Sequence, residues 1–163
     1  MKRLLIVWHS RTGAARAMAE AAAEAAEAEP GVRVLTLPAD EATAEDLLAA
    51  DGYLFAAPEN LAALSGAMKE FFDRAYYLVL ERLNGRPYAM MIAAGSDGHG
   101  AVRQLARIAT GWRLKPVAEP LVVCTRAQDA DRILAPKVLS EDQLAPCREL
   151  GAALAAGLAM GVF

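Results

Sequence analysis

Cysteine and histidine are scarce in this 163-residue chain, with two of each. Cys124 and Cys147 lie far apart and form no C-x-x-C pair, so neither a disulfide framework nor a structural zinc site is indicated. Neither sign of charge dominates: 17 basic and 20 acidic residues give a formal net charge of -3. No basic run stands out either, which removes the electrostatic footprint of a nucleic-acid binder. Long apolar runs are missing. Only a short apolar run precedes His9, too little for a signal peptide, and the longest uncharged apolar stretch, Leu150 to Phe163, is short of a bilayer span. That stretch is expected as a buried terminal helix. The expectation is therefore one cytoplasmic domain over residues 1–163, without a membrane span. Also absent are G-x-x-x-x-G-K-[ST] and G-x-G-x-x-G, so neither a triphosphate loop nor a Rossmann dinucleotide loop is supported.

What is present centres on residues 9–16. Leu4-Leu5-Ile6-Val7-Trp8 is short, continuous and apolar, as a strand buried on both faces reads. A polar turn follows, His9-Ser10-Arg11-Thr12-Gly13, and then an alanine- and glutamate-rich stretch that favours helix. Gly13 permits a backbone conformation closed to other residues. Strand, tight turn and helix in that order aim free N–H groups and the positive end of a helix dipole at one point, with the hydroxyls of Ser10 and Thr12 beside them. A phosphate fits there.

The remaining chain alternates. A first helix is expected over Ala14 to Glu29, ended by Pro30-Gly31, then a strand over Val32 to Leu37. A short helix capped at Thr43 runs to Ala50, followed by a third strand, Tyr53 to Ala57, closed by Pro58. From Ser65, taken as the cap, a helix pairs Lys69 with Asp73 and Glu70 with Arg74 on its outer side. A fourth strand spans Tyr88 to Ala94; a loop at Gly95–Gly100 precedes a helix ending near Trp112; a fifth strand lies within Pro116 to Cys124. Ser140 opens a capping box for the last helix, which Pro146 should kink or restart. Thr125 to Leu139 gives no clear signal. The pattern specifies an α/β, doubly wound parallel sheet of five strands with helices on both faces; right-handed crossovers leave few topologies, and the flavodoxin-like order 2-1-3-4-5 fits. Ligands bind such sheets at the carboxyl ends of the strands, where residues 9–16, 58–66 and 95–100 converge.

The first turn resembles the flavodoxin phosphate loop, [ST]-x-[ST]-G-x-[ST], through Ser10, Thr12 and Gly13, departing from it at Ala15. Asp51 to Asn60, with Pro58, and then Ser65-Gly66-Ala67-Met68-Lys69-Glu70-Phe71-Phe72-Asp73-Arg74, resemble the matching block of NAD(P)H-dependent FMN reductases and multimeric flavodoxin-like quinone reductases. Arg86-Pro87, Gly95-Ser96-Asp97-Gly98 and Ile108-Ala109-Thr110-Gly111-Trp112 extend the similarity over residues 3–124. The resemblance implies FMN as cofactor and NAD(P)H as donor. It places the FMN phosphate on Ser10, Arg11, Thr12, Gly13, Ala14 and Ala15. It also sets the flavin edge along Pro58, Glu59, Asn60 and Leu61, and Gly95, Ser96, Asp97 and Gly98 opposite. Flavin carries the chemistry, so no catalytic side chain is required; His99 is a weak candidate and more simply an exposed loop residue.

The implied reaction passes a hydride through flavin to a quinone or similar small acceptor. The alternatives are a one-electron flavodoxin carrier and a non-enzymatic binding module on the same fold. No aromatic lies within residues 58–65, where a carrier would stack one on the ring. A phospho-receiver is disfavoured because Trp8-His9-Ser10 after the first strand and Ala57-Pro58 after the third offer no metal-binding acid or phosphoacceptor aspartate. Tyr76-Tyr77 and the apolar tail to Phe163 lead to the expectation of a homodimer or homotetramer.

Overall fold

The computed structural model describes residues 1–163. In chain order the elements are β1 (Lys2–Trp8), α1 (Ala14–Glu27), β2 (Val32–Pro38), α2 (Ala44–Ala49), β3 (Gly52–Asn60), β4 (Ala63–Leu64) and α3 (Gly66–Val79). Then come β5 (Pro87–Ala94), α4 (His99–Gly111), β6 (Lys115–Pro116), β7 (Leu121–Cys124), α5 (Ala130–Leu134) and α6 (Glu141–Met160). The parallel order is β2-β1-β3-β5, and both β6 and β7 pair with β5. The expected fifth strand is thus two segments, interrupted around Pro120; prolines are tolerated here because this strand lies on the sheet's edge. With the antiparallel β4 the sheet has seven strands rather than five.

Strict alternation along the central strands divides the core. Leu5, Val7, Tyr53, Phe55 and Ile92 face α2, α3 and α4, while Leu4, Ile6, Leu54, Ala56 and Met91 face α1 and α6. The first face is rich in aromatics, with Phe55, Phe71, Phe72 and Trp112 in mutual contact. The second is built from alanine, so its helices approach closely: a Cβ on Gly151 of α6 would lie 2.7 Å from the carbonyl carbon of Ala22 in α1. The pairs Lys69–Asp73 and Glu70–Arg74 form as expected. Arg74 also donates to the carbonyls of Ala39 and Ala42. Arg86 donates to the carbonyls of Leu47, Leu48 and Ala50 and to the Tyr53 hydroxyl, which burial pushes up to about 12. Arg74 therefore ties the approach loop of α2 to α3, and Arg86 ties the end of α2 to the sheet.

Several boundaries differ from the sequence expectation, among them the start of α4, which begins at His99 inside the expected loop. β3 does not stop at Pro58, which pairs with Ala93. β1 has left the sheet opposite Ala56, so Pro58 sits where one edge is open and its missing N–H is not needed. α1 ends at Glu27 rather than Glu29. α6 runs through Pro146 without restarting there, because the Ser140–Gln143 capping box fixes its start at Glu141 and packing on α1 holds the rest. Only the bond that a residue-146 N–H would give to Asp142 is lost.

Candidate functional site

At the carboxyl ends of the strands, β1 delivers the turn into α1, β3 the hairpin into β4, and β5 the loop into α4. The first turn is closed by the Gly13 N–H donating to Ser10 Oγ at 3.0 Å, with Gly13 at φ 104°. The N–H groups of Ala14, Ala15 and Arg16 have no acceptor within the chain, and the Thr12 hydroxyl has no partner. The Ser10 hydroxyl still has its own hydrogen to donate. Ala14 and Ala15 are buried, so free donors at the positive end of a 14-residue helix are held out of bulk water. That donor set fits a phosphate. The Arg16 guanidinium bonds Glu20 and lies over Trp8, leaving Arg11 as the loop's unpaired cation.

A hairpin forms the second wall. Glu59 pairs with Leu64 and Asn60 with Ala63, leaving Leu61-Ala62 as a two-residue turn with φ 51° and 62°. Left-handed conformations at two non-glycine residues are uncommon. They are held by docking on α4: Glu59 accepts from the N–H groups of Gly98 at 2.9 Å and Ala101 at 3.1 Å, and Gln104 accepts from the Leu64 N–H. Glu59 thus caps a helix forty residues away in sequence, and the absence of a side chain at Gly100 lets the Ala62 carbonyl pack there. Ser65, expected to cap α3, makes no such bond; its buried hydroxyl lies 2.7 Å from His9 Nδ1 and links the turn between β1 and α1 to the start of α3. Burial, and then Arg11, hold His9 below its ordinary value.

The three segments and the strand ends bound a cleft of about 220 Å³, lined by Ser10, Arg11, Thr12, Ala14 and Ala15, by Pro58, Glu59 and Asn60, and by Gly95. This is below the roughly 300–1,000 Å³ of pockets that enclose a whole drug-sized ligand, so a nucleotide-sized occupant would remain partly exposed. Gly13, Leu61, Ser96, Asp97 and Gly98 do not line it. Gly13 and Gly98 shape the backbone beneath it, both at positive φ; Leu61 points wholly into solvent. Asp97 and His99 are exposed and paired with each other. The cleft has a further wall that the sequence did not reveal: Thr125, Ala127, Ile133, Leu134 and Lys137. Thr125 directly follows β7, and the gathering of strand carboxyl ends was a signal for it; nothing pointed to the residues of α5.

The sequence profile of the family described as NADPH-dependent FMN reductase matches residues 1–129. A protein named flavodoxin from Aquifex aeolicus is 35% identical over a match covering 61% of this chain and 54% of that one. An NAD(P)H dehydrogenase (quinone) from Acidithiobacillus ferrooxidans is 31% identical, covering 61% and 60%. The match thus covers little more than half the length of these two relatives. Among solved structures, a flavodoxin from the domain Archaea superposes with TM-score 0.77 at 18% identity, covering 96% of this chain and 98% of that one. No helix is long and apolar enough to cross a membrane.

Proposed function

The chain belongs to the NADPH-dependent FMN reductase family, and on that premise we propose that it passes a hydride from NADH or NADPH through bound FMN to a quinone or similar small acceptor. The observation that carries this is the set of unpaired N–H groups at Ala14, Ala15 and Arg16 beside the Thr12 hydroxyl, in one cleft with Pro58–Asn60 and Gly95. Bound flavin would supply the hydride-accepting and hydride-donating chemistry. The chain's residues bind and orient. Ser10–Ala15 and Arg11 would hold the phosphate, and the backbone of Pro58–Asn60 would meet the ring edge. Glu59, committed to α4, would keep that hairpin in place rather than touch substrate. His99 is exposed and paired with Asp97, and no proton-transfer role is assigned to it.

The flavodoxin similarity favours one other reading, a one-electron carrier. Against it stands the lack of any aromatic between Pro58 and Ser65. We place the protein in the cytoplasm as a single domain. We also assign it a homodimer or homotetramer, since Tyr77 is 82% exposed with Tyr76 beside it near the end of α3 and Leu80 exposed just beyond. Visible absorbance tests the reading. Added FMN should bind, NADH or NADPH should bleach it, and a quinone should restore it without an accumulating radical. Flavin that binds but is reduced by neither nicotinamide, while accepting single electrons from a ferredoxin-type reductase, would make this a carrier. No binding would leave the interaction module.

A further inference from the structure

Residues Thr125–Leu139 show no helical or strand periodicity, yet they span the cleft and are fastened at both ends to its two glycine turns. At one end the Arg126 N–H donates to the Gly95 carbonyl at 2.9 Å, and the Ala127 carbonyl stands 3.1 Å from where a Cβ on Gly95 would lie. At the other the Lys137 N–H donates to the Thr12 carbonyl at 2.7 Å, and the Lys137 carbonyl stands 3.5 Å from the corresponding point on Gly13. Between them lies α5, five residues of which none is buried. Ile133 and Leu134 wall the cleft while remaining 52% and 76% exposed, so apolar packing does not hold α5. Hydrogen bonds do. Lys137 Nζ donates to the carbonyls of Arg132, Ile133 and Ala135 at 2.7, 3.0 and 2.6 Å, using all three of its donors on the end of α5. Lys137 is also the one residue of 128–138 that is half-buried rather than exposed.

A plain connection from β7 to α6 would need neither anchor. The phosphate turn, meanwhile, is one hydroxyl short at Ala15, which is buried and carries no donor. Resting on the reading that FMN occupies the cleft, we propose that Lys137 is a positioning residue that fixes Thr125–Leu139 as a wall across the phosphate end of the site. The wall retains a flavin mononucleotide and shuts out a flavin dinucleotide, whose phosphate must continue into an adenylate. An end closed by backbone on the Thr12 and Gly13 turn leaves that extension no path.

Fluorescence titration of the full chain with FMN, riboflavin and FAD tests this. Lys137→Ala should weaken FMN about tenfold, one charge-assisted contact network's worth, leave riboflavin unchanged, and leave FAD unchanged or tighter. Adding Ala15→Ser to that variant should recover FMN affinity. Trypsin provides a second readout independent of turnover: cleavage after Arg126 and Arg132 should be slowed by FMN and not by riboflavin. Loss of all three flavins in equal measure, no change in any, or no protection by FMN would overturn the inference while leaving the proposed function standing. A wild-type chain that binds no flavin would remove that reading, and this one with it.

Discussion

Alanine at Gly100 sets two effects of opposite sign against each other. In an open helical position Gly→Ala gains up to about 1 kcal/mol. At Gly100, however, the new Cβ would lie 2.7 Å from the carbonyl carbon of Ala62 and 3.2 Å from Glu59 Oε2, where ordinary contact is about 3.5–4.0 Å. The hairpin must back off by about 1 Å. That stretches the two bonds by which Glu59 caps α4 and the bond from Leu64 to Gln104. A lost cap costs about 0.5–2 kcal/mol and a further hydrogen bond about 1 kcal/mol, with steric strain adding to both. After the propensity gain, a net loss of about 1–3 kcal/mol remains, or roughly 3–10 °C in melting temperature for a chain of this size. Thermal and urea unfolding followed by far-UV circular dichroism would measure it. Gly66→Ala and Gly111→Ala, with nothing within 4 Å of the new Cβ, serve as controls and should be neutral or slightly stabilising. Gly100→Ala melting at or above wild type would refute the docking of hairpin on helix as the source of order here.

Gly13→Val places a β-branched residue at φ 104° and should cost FMN at least about a hundredfold in affinity; a fluorescence titration matching wild type would contradict the placement of the phosphate. Replacing Leu61-Ala62 by Asn-Gly relieves two left-handed residues and sacrifices no packing, since both side chains are exposed; stability should rise by about 1–2 kcal/mol in urea unfolding. His9 titrates below its usual value in the folded chain because burial, then Arg11, oppose its charge. As pH falls the unfolded chain takes up this proton first. Stability is therefore full above about pH 6.5, declines below it, and levels off once the folded-state value is passed. Between about pH 7.5 and about pH 5.5 the urea midpoint should drop more in wild type than in His9→Gln. Asn60→Ala, beside the hairpin turn and on the wall of the cleft, should lower NAD(P)H turnover while leaving FMN bound, checked by steady-state rates alongside titration.

The layered fold was legible because its signals are local. Leu4–Trp8 is apolar throughout, as a strand covered on both faces must be, and Pro30-Gly31 and Asn84-Gly85 break the chain where turns occur. The tight turn before α1, to which we assign the phosphate, was legible for the same reason, since Ser10, Thr12 and Gly13 lie within a few residues of one another. What was not legible depends on partners distant in sequence. Glu59 reads as a flavin-edge contact and serves as a cap for α4; Ser65 reads as a cap and is taken by His9. Pro58 reads as a stop, yet whether it stops a strand depends on where the neighbouring strand ends. Residues 125–139 have no periodicity because they pack on two loops rather than on a helix or sheet face, and so nothing in their pattern announces them.

The contact of Gly151 with Ala22 joins the first helix of the chain to the last. During synthesis α1 can form early, but the helix that covers it emerges only after nearly the whole chain has been made, a wait on the order of ten seconds. Throughout that interval the part of its inner face that α6 will cover, as distinct from the part laid on the sheet, stands bare. That face is alanine at seven of its eight buried positions, with Met18 the exception. Methyl groups offer little area for unwanted association, so a nascent chain can carry this surface uncovered at low risk of sticking to its neighbours. The close approach that a small-residue interface allows at the end of folding is matched by its inertness before folding is complete.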